Sequence, residues 1–149
     1  MTAFVTGGAG FLLAVLWFDL MFDVQVIGHR GRELPEEVLA SIGGYYRRVT
    51  TAARPMNRLI AVVMLATIAA IVVQLARGDA PLSVSIASLA LAGSAILLAA
   101  AHTVPSAVRL GGREDRAEVQ SRLARAIFRD HVLCAGAITG LLVVQLASA

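Results

Sequence analysis

Residues 61–101 read AVVMLATIAAIVVQLARGDAPLSVSIASLALAGSAILLAAA. Two apolar runs flank a short polar break, ARGDAP (Ala76–Pro81), and Arg77 and Asp79 are the only charges in the stretch. Crossing the hydrocarbon of a bilayer as helix takes about 20 mainly apolar residues. A backbone in hydrocarbon must satisfy its own hydrogen bonds, so each run is expected to be a helix and the pair a membrane hairpin.

The same pattern recurs on both sides. Four segments qualify as spans: about 3–22, 56–76, 82–101 and 127–147. They take up most of a 149-residue chain that is 58% hydrophobic, with mean hydropathy +0.76. Soluble domains average roughly 45–50% apolar residues. The expected fold is all-α, an integral membrane four-helix bundle formed by a single domain, 1–149, with no room for a separate soluble domain. The N-terminal MTAFVTGGAGFLL lacks the basic start and cleavage site of a signal peptide, so the first segment is expected to be a retained helix.

Charge sets the expected topology. All thirteen basic residues are arginine. Arg30, Arg32, Arg47, Arg48, Arg54 and Arg58 lie between spans one and two. Arg109, Arg113, Arg116, Arg122, Arg125 and Arg129 lie between span three and the start of span four. Only Arg77 falls in the middle turn. The positive-inside rule then makes the connections at about 28–55 and 105–125 cytoplasmic and puts both termini on the non-cytoplasmic side. The expected location is multi-pass, in a bacterial inner or plasma membrane. Nucleic acid is not an expected partner, because each connection also holds three acids: Glu33, Glu36 and Glu37 in one, Glu114, Asp115 and Glu118 in the other. Anionic lipid headgroups suffice to explain the arginines.

Several chemistries are absent from the pattern. Cys134 is the only cysteine, so no intrachain disulfide forms. There is no zinc-type cysteine spacing, phosphate-binding loop or dinucleotide fingerprint, and GGAG (Gly7–Gly10) lies inside an apolar span rather than after a strand. The connections carry helical signals of their own. Tyr45 and Tyr46 beside Arg47 and Arg48 suit an interfacial segment, and REDRAEVQSRLARAIFRDHV (Arg113–Val132) reads as a helix feeding into span four. Gly136 and Gly140 form a small-xxx-small pair that suits close packing within the chain, a homo-oligomer or other membrane helices.

Counting depth at about 1.5 Å per residue collects the polar groups in one layer. AVLWFDLMFDVQVIGHR (Ala14–Arg30) carries Asp19 and Asp23 one turn apart on one face, near the cytoplasmic end of span one. Asn57 and Arg58 begin span two, His102 ends span three before Pro105, and Asp130 and His131 begin span four. Asp19, Asp23, His102 and His131 form a plausible ligand set for a divalent metal, and bundle cores often build metal sites this way. Asp19, Asp23, Arg58 and His131 are equally candidates for catalysis, since His titrates near neutrality. Trp17, Asn57 and Asp130 are candidates for substrate contact or packing. Haem held by His102 and His131 is a more remote reading. The plain alternative is structural: Arg58 pairs with Asp19 or Asp23, Arg129 with Asp130, and nothing reacts.

Four spans, an aromatic-rich end to span one, HTVPSAVRL (His102–Leu110) and RAIFRDHV (Arg125–Val132) resemble the anthrone oxygenase-like family of small membrane proteins. That resemblance implies a four-helix membrane bundle that oxygenates a hydrophobic, often polycyclic aromatic substrate taken from the bilayer. The chain departs from the family pattern at Thr103, Ser106, Arg129, Asp130 and His131. Three functions therefore stand as expectations. The first is a membrane oxidoreductase acting on a hydrophobic small molecule. The second is a non-enzymatic subunit or assembly protein with a structural polar layer. The third is a transport or lipid-carrier role.

Overall fold

A computed structural model describes residues 1–148 and every side chain among them but that of Arg54. Ala149, the end of the expected domain, and the Arg54 side chain, one of the expected interfacial arginines, lie outside that description. The described residues hold six α-helices: α1 (Thr2–Asp23), α2 (Glu36–Arg47), α3 (Arg54–Arg77), α4 (Leu82–Leu98), α5 (Val104–Gly112) and α6 (Ala117–Ala147). There is no strand among the described residues. Four stretches are long and apolar enough to cross a membrane: Thr2–Val26, Pro55–Arg77, Leu82–Gly112 and Ala117–Ala147.

The hairpin of α3 and α4 is built as its sequence implies. Pro55 sits in the first turn of α3, where a missing N–H leaves no bond unmade. At the far end Gly78 takes the left-handed conformation (φ 66°, ψ 27°), and Asp79 N–H donates back to Gln74 O at 3.1 Å. That is a Schellman close, which a residue with a Cβ adopts at a penalty. Pro81 then caps α4.

Two boundaries differ from expectation. The third span does not end at Ala101. It passes through a π-helical turn, Ala99–Thr103, and continues as α5 to Gly112. Pro105 has no N–H to give to the carbonyl four residues back, and the ladder shifts just before it: Val104 N–H bonds Ala99 O, five residues back. The fourth span begins earlier than residue 127, because the feeding segment and the span are one 31-residue helix, α6.

The spans form a ring in which α1 packs on α3 and α6, and α4 packs on α3 and α6. Inside it Val5, Leu12, Ile71, Ala92, Ile138 and Leu141 are buried. Outward, Phe4, Trp17, Phe18, Leu65, Leu97 and Val143 are exposed, as lipid-facing side chains would be. The short helices α2 and α5 pack on each other at the arginine-rich end. There Leu39, Ile42, Leu110 and Ile127 are fully buried in a second cluster. Each such burial contributes roughly 1.5–3 kcal/mol where water is the alternative. The start of α1 and the last turns of α6 lie at the opposite end, where the Met1 ammonium is 3.7 Å from Asp79 in the α3–α4 turn and Gln145 bonds Gln74.

Close helix approach occurs elsewhere than at Gly136 and Gly140. A Cβ on Gly136 would meet nothing within 4 Å, and one on Gly140 would make ordinary contact with Leu91 at 3.5 Å. Tight crossings are at Gly8, against Thr67, at Gly43, against Arg113 and the Leu110 carbonyl, and at Gly111, where a Cβ would stand 2.7 Å from the Arg47 backbone nitrogen.

Candidate active site

The two aspartates of α1 each take a tyrosine from α2. Tyr45 Oη donates to Asp19 Oδ1 at 2.7 Å, and Tyr46 Oη donates to Asp23 Oδ1 at 2.6 Å. Adjacent helix positions point about 100° apart, so neighbouring phenols can reach two carboxylates set one turn apart on another helix. Phe22 stacks on Tyr45, with ring centroids 4.1 Å apart, and fixes the ring over its carboxylate. Burial, then the nearby carboxylates, pushes both phenols well above their ordinary value. Each therefore stays protonated and serves as a donor.

His131 of α6 completes the cluster. Its Nδ1 donates to Asp23 Oδ2 at 2.6 Å, because a carboxylate offers only acceptors. Both oxygens of the fully buried Asp23 are thus occupied. The other ring nitrogen, Nε2, faces Asp19 Oδ2 at 3.8 Å, beyond hydrogen-bonding distance. A buried carboxylate on one imidazole nitrogen, with the second nitrogen left free, orients the ring and sets its tautomer.

A cavity of about 440 Å³ lies against this cluster. Asp19, Tyr45, Tyr46 and His131 line its polar end. The remaining wall is mostly apolar, with Phe11, Leu12 and Leu16 of α1, Met56, Ile60 and Met64 of α3, Ile96 of α4 and Ile138 of α6. Cys134 also lines it, with its thiol donating to Ala95 O at 3.5 Å. Small-molecule sites typically enclose about 300–1,000 Å³ with mostly apolar walls and a few convergent polar groups.

Of the four residues expected to hold a metal, Asp19, Asp23 and His131 come together and His102 does not. His102 pairs with Asp130 instead, Nδ1 donating to Oδ2 at 2.5 Å, and Thr103 Oγ1 donates to the same oxygen at 3.2 Å. The π-helical turn carries His102 and Thr103 to that face of α6. His102 and Asp130 do not line the cavity that His131 lines. Among the described residues no three His, Cys, Asp or Glu side chains group so as to hold a metal ion. With His102 turned to Asp130, the four expected donors do not form one set, and His102 and His131 bond different carboxylates.

Of three other candidates, two sit apart and one lines the cavity. Arg58 is exposed and makes no ion pair with Asp19 or Asp23, which are held by phenols and imidazole. Trp17 is 68% exposed and outside the cavity wall. Asn57 lines the cavity, and its amide donates to Thr50 O at 3.1 Å, bracing the π-helical turn Arg48–Ala52 that joins α2 to α3. Arg129 stands 3.9 Å from Asp130 Oδ1.

Sequence reading assigned Tyr45 and Tyr46 to the interface and missed their place in the site. The usable signal was depth: two adjacent phenols at the arginine-rich end, level with two unpaired carboxylates. No family model matches this chain, and neither a curated protein nor a solved structure does.

Proposed function

We propose that the chain is a membrane enzyme that moves a proton on a hydrophobic substrate entering from the bilayer. The observation that carries this reading is His131, which lines an apolar cavity with Nδ1 anchored on buried Asp23 and Nε2 unbonded. A base so held can take a proton from a weakly acidic C–H or O–H of a ligand lying in the cavity. Asp19, which faces Nε2, would steady the imidazolium that forms. The Tyr45 phenol on the same wall could turn its O–H to the anion left on the substrate, and the imidazolium would return the proton. An oxidoreductase of the oxygenase-like kind uses the same first step, since an electron-rich aromatic that has lost its proton reacts more readily with dioxygen. No metal enters this scheme.

The test uses purified protein in detergent with a total lipid extract, in deuterated water, under air and under argon. Mass spectrometry follows every hydrophobic compound. The expected result is deuterium entering one compound class with the wild type, and at least about 100-fold more slowly with His131→Asn. Oxygen gained under air alone marks the oxygenase-like outcome. If no compound gains deuterium or oxygen faster with the wild type than with His131→Asn, the reading fails and the layer is structural.

A further inference from the structure

A second concave surface lies at the arginine-rich end, between α2 and α5. It is an open groove of about 640 Å³. Arg47, Arg48 and Arg113 line it, and Glu36 is its single acid. Gly43 and Gly111 let the two helices cross closely, since a Cβ on either would press on Arg113 or the Arg47 backbone. Gly44 and Gly112 also line the groove, yet a Cβ on either would meet nothing within 4 Å. They serve no packing contact and leave bare backbone along the groove.

Arg113 is the residue that gives this surface chemistry. It closes α5 in the left-handed conformation, φ 57°, and no other non-glycine residue described here has positive φ. Glycine would fill that position without strain. The guanidinium is only partly used. Nη2 donates to Glu36, while Nη1 is enclosed and has no hydrogen-bond partner among the described residues. A guanidinium with unmet donors is destabilising, and because the Arg113 side chain is 26% exposed and lines the groove, an acceptor arriving there can meet it once the side chain turns. The groove thus sets three guanidinium groups against one carboxylate.

We propose that this groove binds a phosphate group, which accepts from the Arg113 guanidinium and is flanked by Arg47 and Arg48. The planar guanidinium fork matches phosphate oxygens, and a charge-assisted bond of this kind is among the stronger ones available. The phosphate could belong to an anionic lipid headgroup or to a soluble ion, and the chemistry at the groove is the same. The site is separate from the cavity, but it holds the same helix. Arg47 directly follows Tyr46, so a bound phosphate fastens the end of α2 that brings both phenols to Asp19 and Asp23.

The test compares two matched pairs of variants. Arg113→Gln removes a groove charge, and Arg122→Gln removes an exposed charge on α6. Glu36→Gln removes the competing carboxylate, and Glu37→Gln makes the same change one residue along and off the groove. Native mass spectrometry reads retained phosphatidylglycerol after extraction from mixed phosphatidylcholine–phosphatidylglycerol nanodiscs. Calorimetry in detergent reads inorganic phosphate. Arg113→Gln is expected to weaken binding on the order of tenfold, with Arg122→Gln within about twofold. Glu36→Gln is expected to tighten binding several-fold, with Glu37→Gln near wild type. Arg113-dependent lipid retention assigns a headgroup, and Arg113-dependent phosphate binding in detergent assigns a soluble ion. Either supports the site. Equal effects within both pairs, for both probes, overturn it. If Arg113→Gln does not fold, the Glu36 and Glu37 pair decides alone.

Discussion

The bundle has a polar layer at each end, and the two are built on different terms. At the terminal end Gln74 and Gln145 form a reciprocal amide pair, at 3.2 and 3.0 Å. Gln145 also donates to Ser88 Oγ at 2.8 Å, and Gln74 to Thr2 Oγ1 at 3.3 Å. Both glutamines are completely buried and neither lines the apolar cavity. At the arginine-rich end the layer is made of carboxylates, phenols and imidazole, and it opens onto that cavity. Neutral amides that satisfy one another cross-link helices without holding charge. Ionisable groups in the same setting are costly to bury, and they are kept where they react or carry protons. Burial alone does not separate the two layers. Titratable chemistry beside free space does.

The sharpest way to break this contrast is to damage each layer and read both activity and stability. His131→Asn is expected to lower the rate of proton transfer by about 10²–10⁴, the usual contribution of a positioned acid–base group. Gln145→Leu should leave that rate within a few-fold of wild type. Comparable rate losses in both variants, followed by label uptake on one substrate, would erase the distinction between a working layer and a clamp.

Stability should show the reverse order at the glutamine end. Gln145→Leu strands the Gln74 amide and the Ser88 hydroxyl in a buried site, which costs about 1–3 kcal/mol. Removing both partners leaves less unsatisfied, and Ser88 can turn to a carbonyl of its own helix. Gln74→Leu with Gln145→Leu should therefore recover part of the loss, a non-additivity visible in a double-mutant cycle of denaturation midpoints. Strictly additive losses would mean that the amides do not act as a pair.

These layers also divide what the sequence disclosed from what it withheld. Composition alone gave the four spans, because an apolar run of that length has few other structures open to it. Counting residues along each span placed Asp19, Asp23 and His131 at one height. Height is the coordinate a helix sequence carries directly. Azimuth is not, because it depends on the order of helices around the ring and on local changes of pitch. Arg58 was placed in the same layer, yet it faces outward. His102 was grouped with His131, but the π-helical turn at Ala99–Thr103 directs it to Asp130. Gln74 and Gln145 stand near the far ends of spans two and four in the sequence, which carries no sign that they bond to each other. Tyr45 and Tyr46 needed the path of a connection, which returns α2 against the bundle through contacts far apart in sequence.

Alkaline pH offers a finer probe of the same contrast. An unfolded phenol loses its proton near pH 10. In the folded protein burial and the Asp23 carboxylate hold Tyr46 well above that value. Above the unfolded value the unfolded chain binds fewer protons than the folded one, so stability falls as pH rises, by about 1.4 kcal/mol per pH unit for one such group. The effect is fully absent below the unfolded value. Tyr45 adds a smaller share, because it is only half-buried and screened. Tyr46→Phe should flatten the slope between pH 10 and 11 in chemical denaturation, by roughly that amount. Gln145→Leu should leave it unchanged, since the amide and hydroxyl cluster around it contains no group that titrates there.

The smallest effect is expected between the layers, on the outer face of α6. Gly136 is exposed, and a Cβ there would meet nothing within 4 Å in the chain. Gly136→Ala therefore adds a methyl without a clash and relieves the backbone entropy of a mid-helix glycine, a gain of about 0.5–1 kcal/mol. Gly111→Ala is the matched opposite, because its methyl would meet the Arg47 backbone and push α5 off α2. In a chain that works alone, Gly136→Ala leaves both layers, the cavity and the size in detergent as they were. If a second copy packs on that face, as the Gly136–Gly140 spacing allows, the same methyl separates the copies. The particle seen by light scattering then shrinks although the fold is more stable. One substitution thus tells whether the bare outer face of α6 belongs to lipid or to another helix.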